Sequence, residues 1–91
     1  MEEKYLEKIK VFYNQEGLLT QYPSKRPMRE IALGRIAAKF EANRKYTEKE
    51  VNKIIKDSIS FSDVEWIRRE LYQWRFLDRL KDGSEYWLIQ E

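Results

Sequence analysis

A mainly helical α+β domain is what the sequence predicts, on three observations. Thr47-Glu48-Lys49-Glu50 and Ser62-Asp63-Val64-Glu65 each pair a hydroxyl with a glutamate three residues on, the signature of a capping box at a helix start. Each is followed by an apolar stripe at helical spacing: Val51, Ile54 and Ile55, then Val64, Ile67, Leu71 and Trp74. After Trp74 the period changes to alternation, in Phe76–Leu80 and Glu85–Ile89, on either side of Lys81-Asp82-Gly83-Ser84. Asp-Gly between alternating apolar runs is a strong hairpin signal, because the turn needs positive φ. Helix, turn, helix and hairpin, in that order from Tyr46 to Leu88, describe a winged helix-turn-helix.

The chain ahead of this unit reads as support for it. From Glu2 to Tyr13, the residues Tyr5, Leu6, Ile9, Phe12 and Tyr13 form one apolar stripe on a helix, which Asn14–Gly17 ends. Leu18–Tyr22 is a short strand or extended arm, and Pro23 and Pro27 keep Ser24-Lys25-Arg26 out of a helix interior. Pro27 then suits the first position of a helix running to Phe40. That helix is apolar on two sides: Leu33, Ile36, Ala37 and Phe40 on one, Ile31, Gly34 and Ala38 on the other. It should be covered twice, by the winged unit and by the N-terminal helix with its arm, with Gly34 and Ala38 allowing close approach at the second contact. Glu41–Tyr46 is a polar connection in which Lys45-Tyr46 could pair as a strand, and Phe61 in the later turn plugs the core. The whole is expected as a single domain over 1–91, with 1–26 the N-terminal helix and arm and 27–91 the winged core.

Composition bounds the chemistry. The 91 residues hold no cysteine and no histidine, so no disulfide framework, thiolate or transition-metal site is expected. No cofactor is implied. No glycine-rich phosphate loop occurs, and the paired carboxylates Glu48 and Glu50 are explained by capping, so an enzyme is not expected. No apolar run reaches membrane-spanning length, which with the charged start predicts a cytoplasmic protein without a membrane partner.

One resemblance is carried by an ordered set of pieces: Gly17-Leu18 with Pro23 and Lys25, Tyr46–Asn52, Arg68-Arg69-Glu70-Leu71, Phe76-Leu77-Asp78-Arg79, and Asp82–Trp87. Over about Ile9 to Leu88 the chain resembles the bacterial family called domain of unknown function 2087. The resemblance implies a link to transcriptional regulators, alone or attached to them, and no catalysis. Where that family tends to have Gly after the second helix of the pair, this chain has Arg75. A left-handed residue there costs Arg about 1 kcal/mol relative to Gly, so either the turn differs or Arg75 has gained a role.

The candidate interface follows from projecting the second helix of the pair. With Ile67, Leu71 and Trp74 inward, Ser62, Glu65, Arg69, Tyr72 and Gln73 face out, flanked by Arg68 and Trp66. Arg and Gln are the residue types that read guanine and adenine edges in a major groove. On the preceding helix Lys49, Lys53 and Lys56 share an outward face where such a helix crosses the phosphate backbone, and Lys81 lies in the wing. Lys25, Arg26 and Arg29 form a second basic cluster. Against this, Glu65 is spaced to pair with Arg69. Residues 17–47 carry seven bases against Glu30 and Glu41, whereas 63–91 carry five bases against seven acids. The basic excess therefore lies away from the reading helix and wing. Two readings remain. One is weak or auxiliary binding of double-stranded DNA. The other is an interaction or effector-sensing module, partnered by a regulator or a second copy, with Trp66 and Tyr72 as interface anchors.

Overall fold

The computed structural model describes residues 3–90 and shows an α+β fold, mainly helical, with one small antiparallel sheet. Helix α1 (Glu3–Lys8) runs directly into a 3₁₀ turn (Ile9–Phe12). Helix α2 spans Arg26–Ala37, β1 is Lys45–Tyr46, α3 is Glu48–Lys56 and α4 is Val64–Gln73. The hairpin closes the chain as β2 (Leu77–Arg79) and β3 (Tyr86–Leu88). The sheet order is β1-β3-β2, with Lys45 opposite Trp87, and Leu77 opposite Leu88.

The N-terminal stripe is only partly buried. Ile9 is fully buried, but Leu6, expected on the same face and lying in the α-helical part of the segment, is 40% exposed. Ile9, Met28 and Ile31 make a small second cluster on one side of α2, with Tyr5, Phe12 and Tyr13 packed on it. On the other side Leu33, Ile36, Ala37 and Phe40 join the main core with Val51, Ile55, Ile67, Leu71, Leu77 and Tyr86. Helix α2 is therefore covered on both sides, as its composition requires. Gly34, however, faces the hairpin instead of the N-terminal helix: a Cβ there would lie 3.7 Å from the Phe76 ring. Ala38 is exposed. The extended arm is stitched at Leu19, whose N–H donates to Ser58 O at 3.0 Å while its carbonyl accepts from Ser60 N at 2.9 Å. Ile59, in the turn so joined, is 4% exposed and fills more core than the half-buried Phe61.

The caps show both what was expected and a shift. At α3 the Thr47 hydroxyl accepts from Glu50 N at 3.1 Å and the Glu50 carboxylate accepts from Thr47 N at 2.9 Å, a full capping box. At α4 the cap is Asp63, not Ser62: Asp63 Oδ1 accepts from Trp66 N at 3.2 Å. Glu65 is thereby moved to the second helical position, where it cannot reciprocate. An ionised carboxylate at a helix N-terminus also gains from the macrodipole, which favours Asp63 over the neutral hydroxyl. The other end of α4 closes in a Schellman motif. Phe76 N–H donates to Leu71 O at 2.9 Å and Arg75 N–H to Tyr72 O at 3.1 Å. Arg75 sits at φ +67°, so the left-handed turn is kept although Arg stands in it.

The hairpin turn follows its chemistry. Gly83 has φ +77°, its N–H donates to Leu80 O at 2.9 Å, and Asp82 Oδ1 accepts from both Ser84 N and Ser84 Oγ. Those bonds hold the exposed Asp82 carboxyl below the usual carboxylate range.

Candidate nucleic-acid interface

The outward face of α4 carries Glu65, Arg69 and Gln73, all exposed, with Ser62 exposed just before it. The Glu65–Arg69 pair that their spacing allows does not form. Among the described residues Arg69 joins no ion pair, which leaves its guanidinium free. Both side chains instead border a polar cleft with Glu48, Arg68, Tyr72, Arg79 and Tyr86. Arg79 was not singled out from sequence; its guanidinium carbon lies 4.8 Å from the Tyr72 ring centroid, a cation–π contact that couples the hairpin to α4. The alternation of the hairpin was the signal that could have found it, since Arg79 pairs with buried Tyr86 in β3 and sits at the root of the turn.

Arg68 has a different job. Its side chain is 16% exposed, Nη1 donates to Asn52 Oδ1 at 2.6 Å, and Nη2 lies 3.7 Å from Glu48 Oε2. It clamps α4 to α3 from the flank and is not free to meet a partner. On α3, Lys49, Lys53 and Lys56 are exposed and border one groove with Asn52, Phe61 and Ser62. Lys53 Nζ is 2.8 Å from Asp57 Oδ2, a surface pair with both side chains mostly exposed, which contributes little and can be exchanged for a phosphate. Lys81 is exposed in the hairpin turn, where its carbonyl accepts from Arg79 Nη1 at 3.2 Å.

The second basic cluster separates. Lys25 and Arg26 are exposed, with the Arg26 guanidinium carbon 5.2 Å from the Trp74 ring centroid. Arg29 is drawn inward: Nε donates to Pro23 O at 2.6 Å, Nη1 is 3.9 Å from Glu70 Oε1, and its guanidinium carbon lies 4.6 Å from the Tyr22 ring centroid. Tyr22 in turn meets Trp66 edge to face at 4.8 Å and donates its hydroxyl to Glu70 Oε1 at 2.8 Å. Trp66 is consequently half-buried beneath the arm and not an open anchor; Tyr72 is half-buried against Arg79. Tyr22 and Glu70 went unnoticed in the sequence because they lie 48 positions apart and share no pattern.

The described residues contain no group of three or more His, Cys, Asp or Glu that could hold a metal ion, and no helix long and apolar enough to cross a membrane.

These features define a small α+β domain in which two capped helices lead into a hairpin and present a mixed, polar outer face. The chain belongs to the family described as uncharacterized protein conserved in bacteria (DUF2087), whose pattern matches residues 18–88. Comparison with curated proteins gave no match, and neither did comparison with solved structures.

Proposed function

We propose that this chain is a winged helix-turn-helix domain of the transcription-regulator kind that binds double-stranded DNA weakly or as an auxiliary contact. The observation that carries the reading is the free guanidinium of Arg69 on the outer face of α4, beside exposed Gln73. Lys49, Lys53 and Lys56 of α3 and Lys81 of the hairpin are exposed as well. In this geometry α4 enters the major groove, Arg69 and Gln73 meet base edges, and Lys49, Lys56 and Lys81 meet phosphates. The element order supports the same reading, because β1 completes the sheet between α2 and α3, as in winged domains. Glu65 and Asp63 near the start of α4 oppose phosphate approach and keep the affinity low.

An amide-shift titration with a generic duplex at low salt tests it. Shifts along Lys49–Lys56, at Arg69 and Gln73 and in the Lys81–Ser84 turn, fading as salt rises, are the expected result. Their absence sinks the DNA reading and leaves the second one, an interaction or effector-sensing module joined to a regulator. The internal use of Arg68 and Arg29 favours that second reading.

A further inference from the structure

A different cleft lies where the N-terminal segment meets the C-terminal half of α2. It is lined by Lys10, Tyr13, Asn14 and Gly17 from the first segment, Arg35, Ile36 and Lys39 from α2 and the turn after it, and Ser58. No carboxylate lines it. Lys10 is held by Glu7 at 3.2 Å on the exposed side, whereas Arg35 joins no ion pair among the described residues. Lys39 Nζ donates to Ser58 Oγ at 2.8 Å, and that hydroxyl is itself spent on Ile54 O. This single bond fixes the ammonium at the cleft wall and leaves its other protons to donate.

The remaining polar groups are donors as well. Asn14 Oδ1 accepts from the backbone N–H groups of Glu16 and Leu18, which leaves its NH₂ as the unused end. The Tyr13 hydroxyl is screened from solvent. Burial pushes its pKa up, partly offset by the charge of Arg35 and by a hydrogen-bonding contact from the Arg35 side chain, whose guanidinium carbon lies 5.0 Å from the Tyr13 ring centroid. It therefore stays protonated and able to donate.

We infer that the cleft between Tyr13, Arg35 and Lys39 binds the phosphoryl group of a small phosphorylated molecule. Arg35, in the last turn of α2, and Lys39, in the turn after it, both line the cleft, and Arg can meet a tetrahedral dianion through two parallel N–H groups. A phosphate monoester, carrying nearly two charges, gains more than a carboxylate from a wall in which Arg35 and Lys39 join no ion pair among the described residues. The inference does not rest on DNA binding, since none of the residues assigned to the duplex lines this cleft. Four of the lining residues, Lys10, Tyr13, Asn14 and Gly17, precede the segment that matches the family pattern, so the site joins that segment to its N-terminal extension.

Inorganic phosphate titrated into the whole chain, followed by amide shifts, tests the site, with acetate at equal ionic strength alongside. Saturable shifts at Tyr13–Gly17, Arg35–Lys39 and Ser58 with phosphate, and weaker ones with acetate, are expected. Arg35→Gln should weaken phosphate binding by about tenfold or more, as loss of a charge-assisted bond does. Tyr13→Phe keeps the ring and should weaken it less, with the rest of the spectrum unchanged in both variants. Non-saturating shifts, equal binding of acetate, or unaltered binding by Arg35→Gln would each overturn the inference. So would a duplex that moves the same resonances, which would make the cleft a backbone contact.

Discussion

The hydroxyl of Tyr22 donates to Glu70 Oε1 at 2.8 Å, and this bond ties the N-terminal arm to the middle of α4. Arg29 closes the same cluster from α2, over the Tyr22 ring and beside Glu70. The arm therefore belongs to the folded unit. Its burial of Trp66 also decides which face of α4 stays open.

Tyr22→Phe should cost about 1–2 kcal/mol, the usual loss for a bond to a charged acceptor whose partner remains half-buried. Urea unfolding measures it. The Tyr22 phenol is also held well above its ordinary value, by burial first and then by Glu70. Its folded pKa is raised, so its contribution to stability is complete below pH 10.0, the ordinary value, and falls as pH rises further. The wild type should lose stability more steeply than Tyr22→Phe above that pH, and its phenolate absorbance should show Tyr22 and Tyr13 titrating after the ordinary tyrosines, with one late phenol fewer in Tyr22→Phe.

Arg75→Gly should stabilise the domain by about 1 kcal/mol, because φ +67° is left-handed and the Schellman bonds need only the backbone. Arg75→Ala keeps the Cβ penalty and should gain nothing comparable. A thermal melt of the two variants separates these outcomes; a Gly variant no more stable than wild type would mean that the Arg75 side chain contributes as much as its strain costs.

The neighbouring arginines of α4 should part company. Arg68→Ala breaks the bond to Asn52 and the contact with Glu48, and should destabilise by about 1–2 kcal/mol. Arg69→Ala should leave stability within about 0.5 kcal/mol, yet weaken duplex binding at low salt. Paired unfolding and fluorescence-anisotropy measurements check both halves. If Arg69→Ala binds DNA as well as wild type does, α4 is not the reading helix.

At the helix starts, Thr47→Ala and Asp63→Ala should each cost about 1 kcal/mol, and Ser62→Ala much less. Chemical denaturation of the three variants tests the position of the second cap directly. A larger loss from Ser62→Ala would place the cap one residue earlier.

Much of the fold was legible because it is written in local patterns. The Thr47 capping box, the inward stripes of α3 and α4, the Asp82-Gly83 turn and the two-sided α2 are all short-range signals, and each formed. Local reading failed where two local options were close in energy. Ser62 and Asp63 both cap well, and only the docked path of the chain selects Asp63. Spacing likewise put Leu6 on the buried stripe with Ile9, yet Leu6 is 40% exposed while Ile9 is fully buried.

The candidate site was less legible, since the availability of a side chain is not a sequence property. Arg68, Arg69 and Arg29 look alike as residues, but Asn52 and Glu48 engage the first, no ion pair among the described residues engages the second, and Pro23, Tyr22 and Glu70 enclose the third. Sequence by itself determined the order of helices and strands, the faces they bury and the absence of cysteine and histidine chemistry. Tertiary structure alone decided which cations are free and that Trp66 is covered by the arm. It alone brought Tyr13, Arg35 and Lys39 together with no acid among them. Helical and strand periods are set by covalent geometry within a few residues. A charge's partners are set by packing between segments dozens of residues apart, through contacts that leave no periodic trace.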